Sequence, residues 1–265
     1  MNEAPPSTKL REAIGAAGLD WIVPDWDVPG DVCALSTTRN GGVSGGARAT
    51  LNLGRSVGDD VEAVAENRRR LGRFLPAPPV WLHQVHGVDV ATLTAATGEP
   101  APRADAAVTR ERGVVCAVST ADCLPVLFAD RHGSAVGIAH AGWRGLSSGV
   151  LEATIEAMGD LGSRPADLVA WLGPAIGPAR FEVGADVRDR FCAEDDDAEV
   201  SFAPHVPGKW LADLYGLART RLARSGVRHL SGGGYCTHAD AARFFSYRRE
   251  RDTGRMVTAV WRAVD

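Results

Sequence analysis

The sequence predicts an α/β fold: one domain forming a layered α/β sandwich around a mixed β-sheet. Three observations lead to it. Between residues 80 and 139, six short apolar runs (80–82, 88–93, 106–108, 114–118, 126–128 and 135–139) follow one another with no helical pattern between them. Their length and β-branched content mark strands, and consecutive strands without crossover helices argue against a doubly wound parallel sheet. Helical patterns flank this block at 9–17, 61–74, 146–158, 185–191 and 210–224. No Gly-x-Gly-x-x-Gly or P-loop pattern sits at a strand-to-helix turn, which argues against a nucleotide-cofactor fold.

Residues 1–30 read as an N-terminal segment ahead of a catalytic domain at 31–265, with a helix at 9–17 and regular structure ended by Pro24 and Pro29. A strand at 32–37 runs into the turn Arg39-Asn40-Gly41-Gly42. Asp59 and Asp60 cap the helix at 61–74, whose acidic first turn and arginine-rich second half suit its dipole. The helix at 146–158 ends near Gly159, and a strand at 168–172 follows. Asp195-Asp196-Asp197 reads as a surface loop. Gly226 stops the helix at 210–224, and the last strands fall at 244–247 and 256–261.

With 265 residues, 45% hydrophobic and 23% charged, the chain has an ordinary globular composition. A net charge of −4 gives no pull toward nucleic acid or anionic membrane. The runs Arg68-Arg69-Arg70 and Arg248-Arg249-Glu250-Arg251 are short and read as a solvated helix face or strand end. The stretch from Met1 to Lys9 lacks the apolar core of a secretory signal, and no run approaches the ~18 residues of a membrane span. Five scattered cysteines argue for a reducing compartment, with the cytoplasm as the expected location.

Three motifs carry the chemistry: Gln84-Val85-His86-Gly87, Ala121-Asp122-Cys123-Leu124-Pro125 and His140-Ala141-Gly142-Trp143-Arg144-Gly145. Each places a His or Cys by an apolar, strand-like run, next to a Gly or Pro that bends the backbone. Two imidazoles and a thiolate leave a fourth coordination position free, the arrangement of a catalytic zinc. His83 and His86 are three apart, so on a strand they point to opposite faces, and His86, followed by Gly87, is the better ligand. With Asp122 adjacent and histidines at hand, Cys123 suits either metal ligation or nucleophilic catalysis. Arg39 and Arg144 are the candidate phosphate or substrate anchors, because a guanidinium matches an oxyanion bidentately; an arginine bonded to turn carbonyls is the competing reading for each.

Together with Thr37-Thr38-Arg39-Asn40-Gly41-Gly42-Val43-Ser44, Asn52-Leu53-Gly54, Asn67-Arg68, Gly173-Pro174-Ala175-Ile176-Gly177 and Phe244-Phe245-Ser246-Tyr247-Arg248-Arg249, these motifs resemble, in order from about 31 to 262, the laccase-domain family. That family is often labelled polyphenol oxidase, and bacterial purine nucleoside phosphorylases of the human FAMIN type belong to it. The resemblance implies a fold related to the cytotoxic necrotizing factor toxins and one zinc held by His86, Cys123 and His140. It also implies phosphorolysis of adenosine, inosine and methylthioadenosine, with some adenosine deamination. His83 stands where the family requires no histidine, and its role is open between substrate handling and none. The implied partners are a purine nucleoside and phosphate, with no nucleic acid, membrane or obligate protein partner.

Three other functions compete. A multicopper oxidase needs a trinuclear cluster wrapped in imidazoles, and seven histidines, four of them scattered (His132, His205, His229, His238), are too few; copper is then a non-native replacement giving weak oxidation. A metal-free cysteine hydrolase, with Cys123 as nucleophile and His140 as base, would cleave amides such as misincorporated cell-wall precursors. A purine-binding module without turnover is the third.

Overall fold

The computed structural model describes residues 4–193 and 195–264. Met1 to Glu3, the start of the N-terminal segment, and Asp265, the end of the domain read from the sequence, lie outside the described residues. The chain runs through α1 (Pro6–Ala16), β1 (Val32–Ser36), α2 (Val61–Gly72), β2 (Val90–Thr92), β3 (Ala106–Thr109), β4 (Cys116–Thr120), β5 (Leu124–Asp130) and β6 (Val136–Ala141). It continues through α3 (Trp143–Ser147), α4 (Val150–Asp160), β7 (Leu168–Leu172), β8 (Glu182–Gly184), α5 (Ala185–Cys192), β9 (Phe202–Pro204) and β10 (Lys209–Ala212). Last come α6 (Leu214–Arg224), β11 (His229–Gly232), α7 (Tyr247–Glu250) and β12 (Met256–Arg262).

Two sheets stack between layers of helix, so the predicted layered α/β sandwich with a mixed sheet is what the chain forms. The larger sheet has the order β11-β7-β5-β6-β3-β2; its inner pairs are antiparallel and its outer pairs, β11 with β7 and β2 with β3, parallel. The smaller sheet is antiparallel, with β12 between β1 and β4. A hairpin-like ribbon, β8-β10-β9, lies outside both.

Alternation along the strands explains the layers. In β6, Val136 and Ile138 face the smaller sheet and share a core with Val118, Met256 and Val260, while Ala139 and Ala141 face helices α4 and α6 through Val150, Leu151 and Leu217. Both faces of this sheet are covered, so its strands read as unbroken apolar runs. The outer face of the smaller sheet (Leu35, Ala117, Val257, Trp261) is covered by Leu10 and Ile14 of α1, Leu71 of α2 and Trp21. The described part of the N-terminal segment is therefore packed against the sheet.

Several predicted elements change at the ends. The helix at 146–158 starts earlier, as α3, and breaks at Gly149, whose φ of 98° is left-handed, before α4 resumes. The helix at 210–224 loses its first turn to β10, which pairs with β8 and β9, and α6 begins only after Asp213 accepts the Tyr215 N–H. Residues 244–247 are not a strand: Phe244 and Phe245 are buried, and Ser246 caps the short α7. Asp195 is buried and caps a 3₁₀ helix, Asp196–Ser201, instead of lying in an open loop. The run at 80–82 makes a single bridge, Val80 to Cys116, and the segment beyond it carrying His83 and His86 is irregular.

Candidate metal centre

Three separate pieces of chain deliver the three predicted donors. His140 comes from the end of β6, opposite Pro125 in β5. Cys123 comes from the turn between β4 and β5, where Asp122 has a φ of 89°. The Asp122 carboxylate holds that turn by accepting from Thr237 Oγ1 at 2.6 Å, Ser246 Oγ at 3.0 Å and the Arg248 N–H at 2.6 Å. Its carbonyl accepts the Ile176 N–H at 3.0 Å, so four distant segments meet at one residue.

His86 arrives by a different device. Its φ is 61°, uncommon for a residue with a Cβ, and the backbone N–H groups of Val85, His86 and Gly87 all donate to the Asp105 carboxylate at 2.7–3.0 Å. These bonds wrap the chain around Asp105 and keep it from extending as a strand. The opposite-faces argument for His83 and His86 therefore loses its premise. Asp105 is fully buried, and its Oδ1 also accepts from His140 Nδ1 at 2.8 Å. One carboxylate thus sets the backbone of one candidate ligand and the ring of another.

The outcome is convergence. Ligand atoms of His86, Cys123 and His140 lie within 4.8 Å of one another, and Cys123 Sγ is 3.9 Å from His86 Nε2. The two imidazoles meet edge to face, with centroids 4.8 Å apart. His140 is 3% exposed, Cys123 half-buried and His86 exposed, so the cup opens on the His86 side. Gly142 leaves the space: a Cβ there would fall 2.8 Å from Cys123 Sγ and 3.3 Å from His86 Cδ2.

The charges suit a cation. Burial acts to raise the Cys123 thiol, but the neighbouring His140 and His86 outweigh it and bring the thiol down to about 6. Burial acts to lower His140, and Cys123 together with Asp105 raises it to about 9. Asp105 would be raised by burial, yet its hydrogen bonds from His140 and the Gly87 and Val85 N–H groups hold it at about 2. With Nδ1–H committed to Asp105, His140 presents Nε2 toward the shared centre, the carboxylate–histidine arrangement typical of metal ligands. The residues therefore fit a borderline-soft divalent ion with an open position. Among the described residues this is the one group of three or more His, Cys, Asp or Glu that converges in this way.

The other predicted site residues sit differently. His83 is exposed and outside the converging trio, and its backbone N–H is tied to Pro102 O. The Arg39 guanidinium is spent on Ala49 O at 2.8 Å, Ala241 O at 3.1 Å and Glu250, with its carbon 4.7 Å from the Phe245 ring centroid. Arg144 is exposed and lies 4.5 Å over the Trp143 ring. Sequence reasoning missed Asp105 and the steric part of Gly142. The signal for Asp105 was present, a lone acid in the apolar stretch from Ala104 to Val108. A cleft of about 700 Å³ lined by Trp21, Trp171, Tyr235 and Arg243 contains none of the converging residues.

The chain is similar to known proteins along most of its length. A purine nucleoside phosphorylase of Pseudomonas aeruginosa is 52% identical over 242 residues, covering 91% of this chain and 98% of that protein. A second, the Escherichia coli purine nucleoside phosphorylase YfiH, is 52% identical over 244 residues with the same coverage. The crystal structure of a Neisseria meningitidis protein of the DUF152 family superposes with a TM-score of 0.88 at 46% identity, covering 92% of this chain and all of that one. Residues 33–263 match the family described as multi-copper polyphenol oxidoreductase laccase, and the chain belongs to that family.

Proposed function

We propose that the chain is a purine nucleoside phosphorylase dependent on a zinc ion held by His86, Cys123 and His140, acting on adenosine, inosine and methylthioadenosine. The observation that carries it is the convergence of two imidazoles and a lowered thiol on one centre with an open side, in a chain half identical to two proteins named for that reaction. Zinc bound there would supply Lewis-acid polarisation where the departing purine gathers negative charge. Phosphorolysis forms a bond from phosphate oxygen to the anomeric carbon and breaks the bond to the purine nitrogen, through a sugar of oxocarbenium character. The chain must therefore hold an anion on one side and relieve the leaving base on the other.

In this reading Asp105 keeps His140 in one tautomer and orientation. Asp122 acts as a positioning residue for Cys123, because its carboxylate is committed to Thr237, Ser246 and Arg248. Arg144 offers a solvent-facing cation for phosphate, and His83 serves substrate handling or proton exchange at the rim. Arg39 holds the loop beneath Phe245. Adenosine deamination at the same centre belongs to the proposal, as does weak oxidation when copper replaces zinc. Five free cysteines support a reducing cytoplasm, and no helix among the described residues is long and apolar enough to cross a membrane. No obligate protein partner is invoked.

The test is metal analysis of the purified protein with chromatography after incubation with adenosine or inosine, with and without phosphate. One zinc per chain and phosphate-dependent release of free base are expected; inosine formed from adenosine without phosphate reports deamination. Base release indifferent to phosphate, or none at all, overturns the phosphorylase reading.

One observation favours a second reading. Asp105, His140 and Cys123 stand in the order of an acid–histidine–thiol relay, with the thiol already lowered. Without metal such a relay would cleave amides, for example those of misincorporated cell-wall precursors. A zinc-bound thiolate is not free to attack, so amide cleavage that zinc addition abolishes would identify this activity.

A further inference from the structure

The arginines around the metal centre are mostly spent. Arg249 donates to Thr237 O, His238 O and Phe244 O and pairs with Glu250. Arg48 pairs with Asp252 and donates to Val57 O. Arg39 is committed to Ala49 O, Ala241 O and Glu250, and Arg248 donates to Glu182 O. Among the described residues Arg144 and Arg248 also keep uncommitted N–H groups, but both are exposed. Arg255 differs in being half-buried with a whole edge of its guanidinium left without an acceptor. Its Nη1 donates to Thr253 O at 3.2 Å and Gly254 O at 3.0 Å. Among the described residues no group accepts from its Nε or Nη2, and no carboxylate pairs with it.

Its position is fixed. Met256 pairs with Thr120, so Arg255 lies at the level of Ala121, beside the turn that carries Asp122 and Cys123. Its backbone N–H donates to Asn52 Oδ1 at 2.9 Å. Gly54 crowds the stem so closely that a Cβ there would sit 2.7 Å from Arg255 Cγ. Burial lowers its pKa, while the negative ends of Cys123, Asp122 and Tyr247 oppose that shift. A half-buried guanidinium with a held stem and an open edge carries a desolvation cost that an anion would offset. The Nε–Nη2 edge is the one that meets two oxygens side by side.

We propose that Arg255 is an oxyanion anchor of the metal centre, binding inorganic phosphate along its Nε–Nη2 edge; this rests on the phosphorylase reading and deepens it. Phosphate held there would lie beside the turn that carries Asp122 and Cys123, and Arg255 would take the role that Arg39 is too committed to fill.

The experiment is calorimetric titration of the zinc-loaded full-length protein with inorganic phosphate, for wild type, Arg255→Gln and Arg255→Lys, with zinc content and melting temperature measured on each. Arg255→Gln is expected to weaken phosphate binding roughly ten- to a hundredfold, with zinc content kept and the KM for inosine unchanged. Arg255→Lys keeps the charge but not the planar fork and should recover part of the loss; should Arg255→Gln fail to fold, a several-fold weakening in Arg255→Lys supports the proposal by itself. Phosphate affinity unchanged in the variants, or no phosphate binding to wild type, overturns the proposal. Failure of the phosphorylase reading looks different: phosphate binds through Arg255, yet wild-type base release does not depend on it.

Discussion

Asp105 Oδ1 and His140 Nδ1 are 2.8 Å apart in a fully buried contact, and the same carboxylate gathers the backbone N–H groups of Val85, His86 and Gly87. Two of the three donors therefore depend on one side chain that is not itself a donor. Asp105→Asn should keep the volume but lose the charge and turn an amide NH₂ toward N–H groups. Metal affinity is expected to fall roughly 10–100-fold, and stability by about 2–4 kcal/mol. Competitive zinc titration and urea denaturation measure the two separately.

The same residue has a pH signature. Asp105 is held at about 2, below its ordinary value of 3.8. A depressed carboxyl stabilises the fold at pH values above the ordinary one, and that contribution is lost as pH falls through the folded value. Wild type should therefore lose about 2 kcal/mol between about pH 4 and pH 2 that Asp105→Asn does not lose. Denaturation of both proteins across that window checks the sign, and parallel curves would refute the linkage.

Single variants sort the histidines. His86→Ala, Cys123→Ala and His140→Ala each remove one of three donors and should leave the protein without stoichiometric zinc. His83→Ala should keep the metal and at most alter substrate handling or proton transfer, because His83 lies outside the converging trio. Zinc lost from the His83 variant and retained in the His86 variant would reverse the ligand set.

Gly142→Ala tests the space between donors. The added methyl would stand 2.8 Å from the Cys123 sulfur and 3.3 Å from the His86 ring, closer than the contacts of a packed interior allow. The backbone at Gly142, with φ of −61° and ψ of 159°, accepts alanine without strain. The expected outcome is a folded protein with near-normal melting temperature and weakened zinc binding.

Removing the metal exposes the thiol's own titration. In metal-free wild type the ultraviolet thiolate absorbance of Cys123 should rise near about pH 6, since His140 and His86 hold the thiol down against burial. His140→Ala should move that rise up toward the ordinary thiol range, about 8.5. A midpoint unchanged by the substitution would show that His140 is not the stabilising cation.

The donors are legible in the sequence because each stands by an apolar run and beside a backbone-bending Gly or Pro. The layered α/β character with a mixed sheet follows from the succession of strands without helices, since covered faces leave unbroken apolar runs. The division of those strands into two stacked sheets does not, because it depends on β12 pairing with β1 and β4 from far along the chain. What hides is long-range. Nothing around Asp105 tells that its carboxylate reaches back to residues 85–87. The spent state of Arg39 and the open edge of Arg255 depend on which carbonyls and carboxylates other loops bring near. Trp210 to Ala212 continue a helical pattern and become a strand because β8 and β9 offer partners, a tertiary choice overriding a local one.

The placement of β12 has a consequence for how the chain is made. It is the middle strand of the smaller sheet, yet it is the last of the described strands to leave the ribosome, more than a hundred residues after β4. Until it emerges, β1 and β4 have open edges toward each other and no ladder between them, which is the condition that invites pairing with a neighbouring nascent chain. Arg255 and the Asp122 contacts to Ser246 and Arg248 arrive in the same late stretch. A protein truncated after α6 would therefore be expected to aggregate, and chaperone demand should last until β12 has left the ribosome.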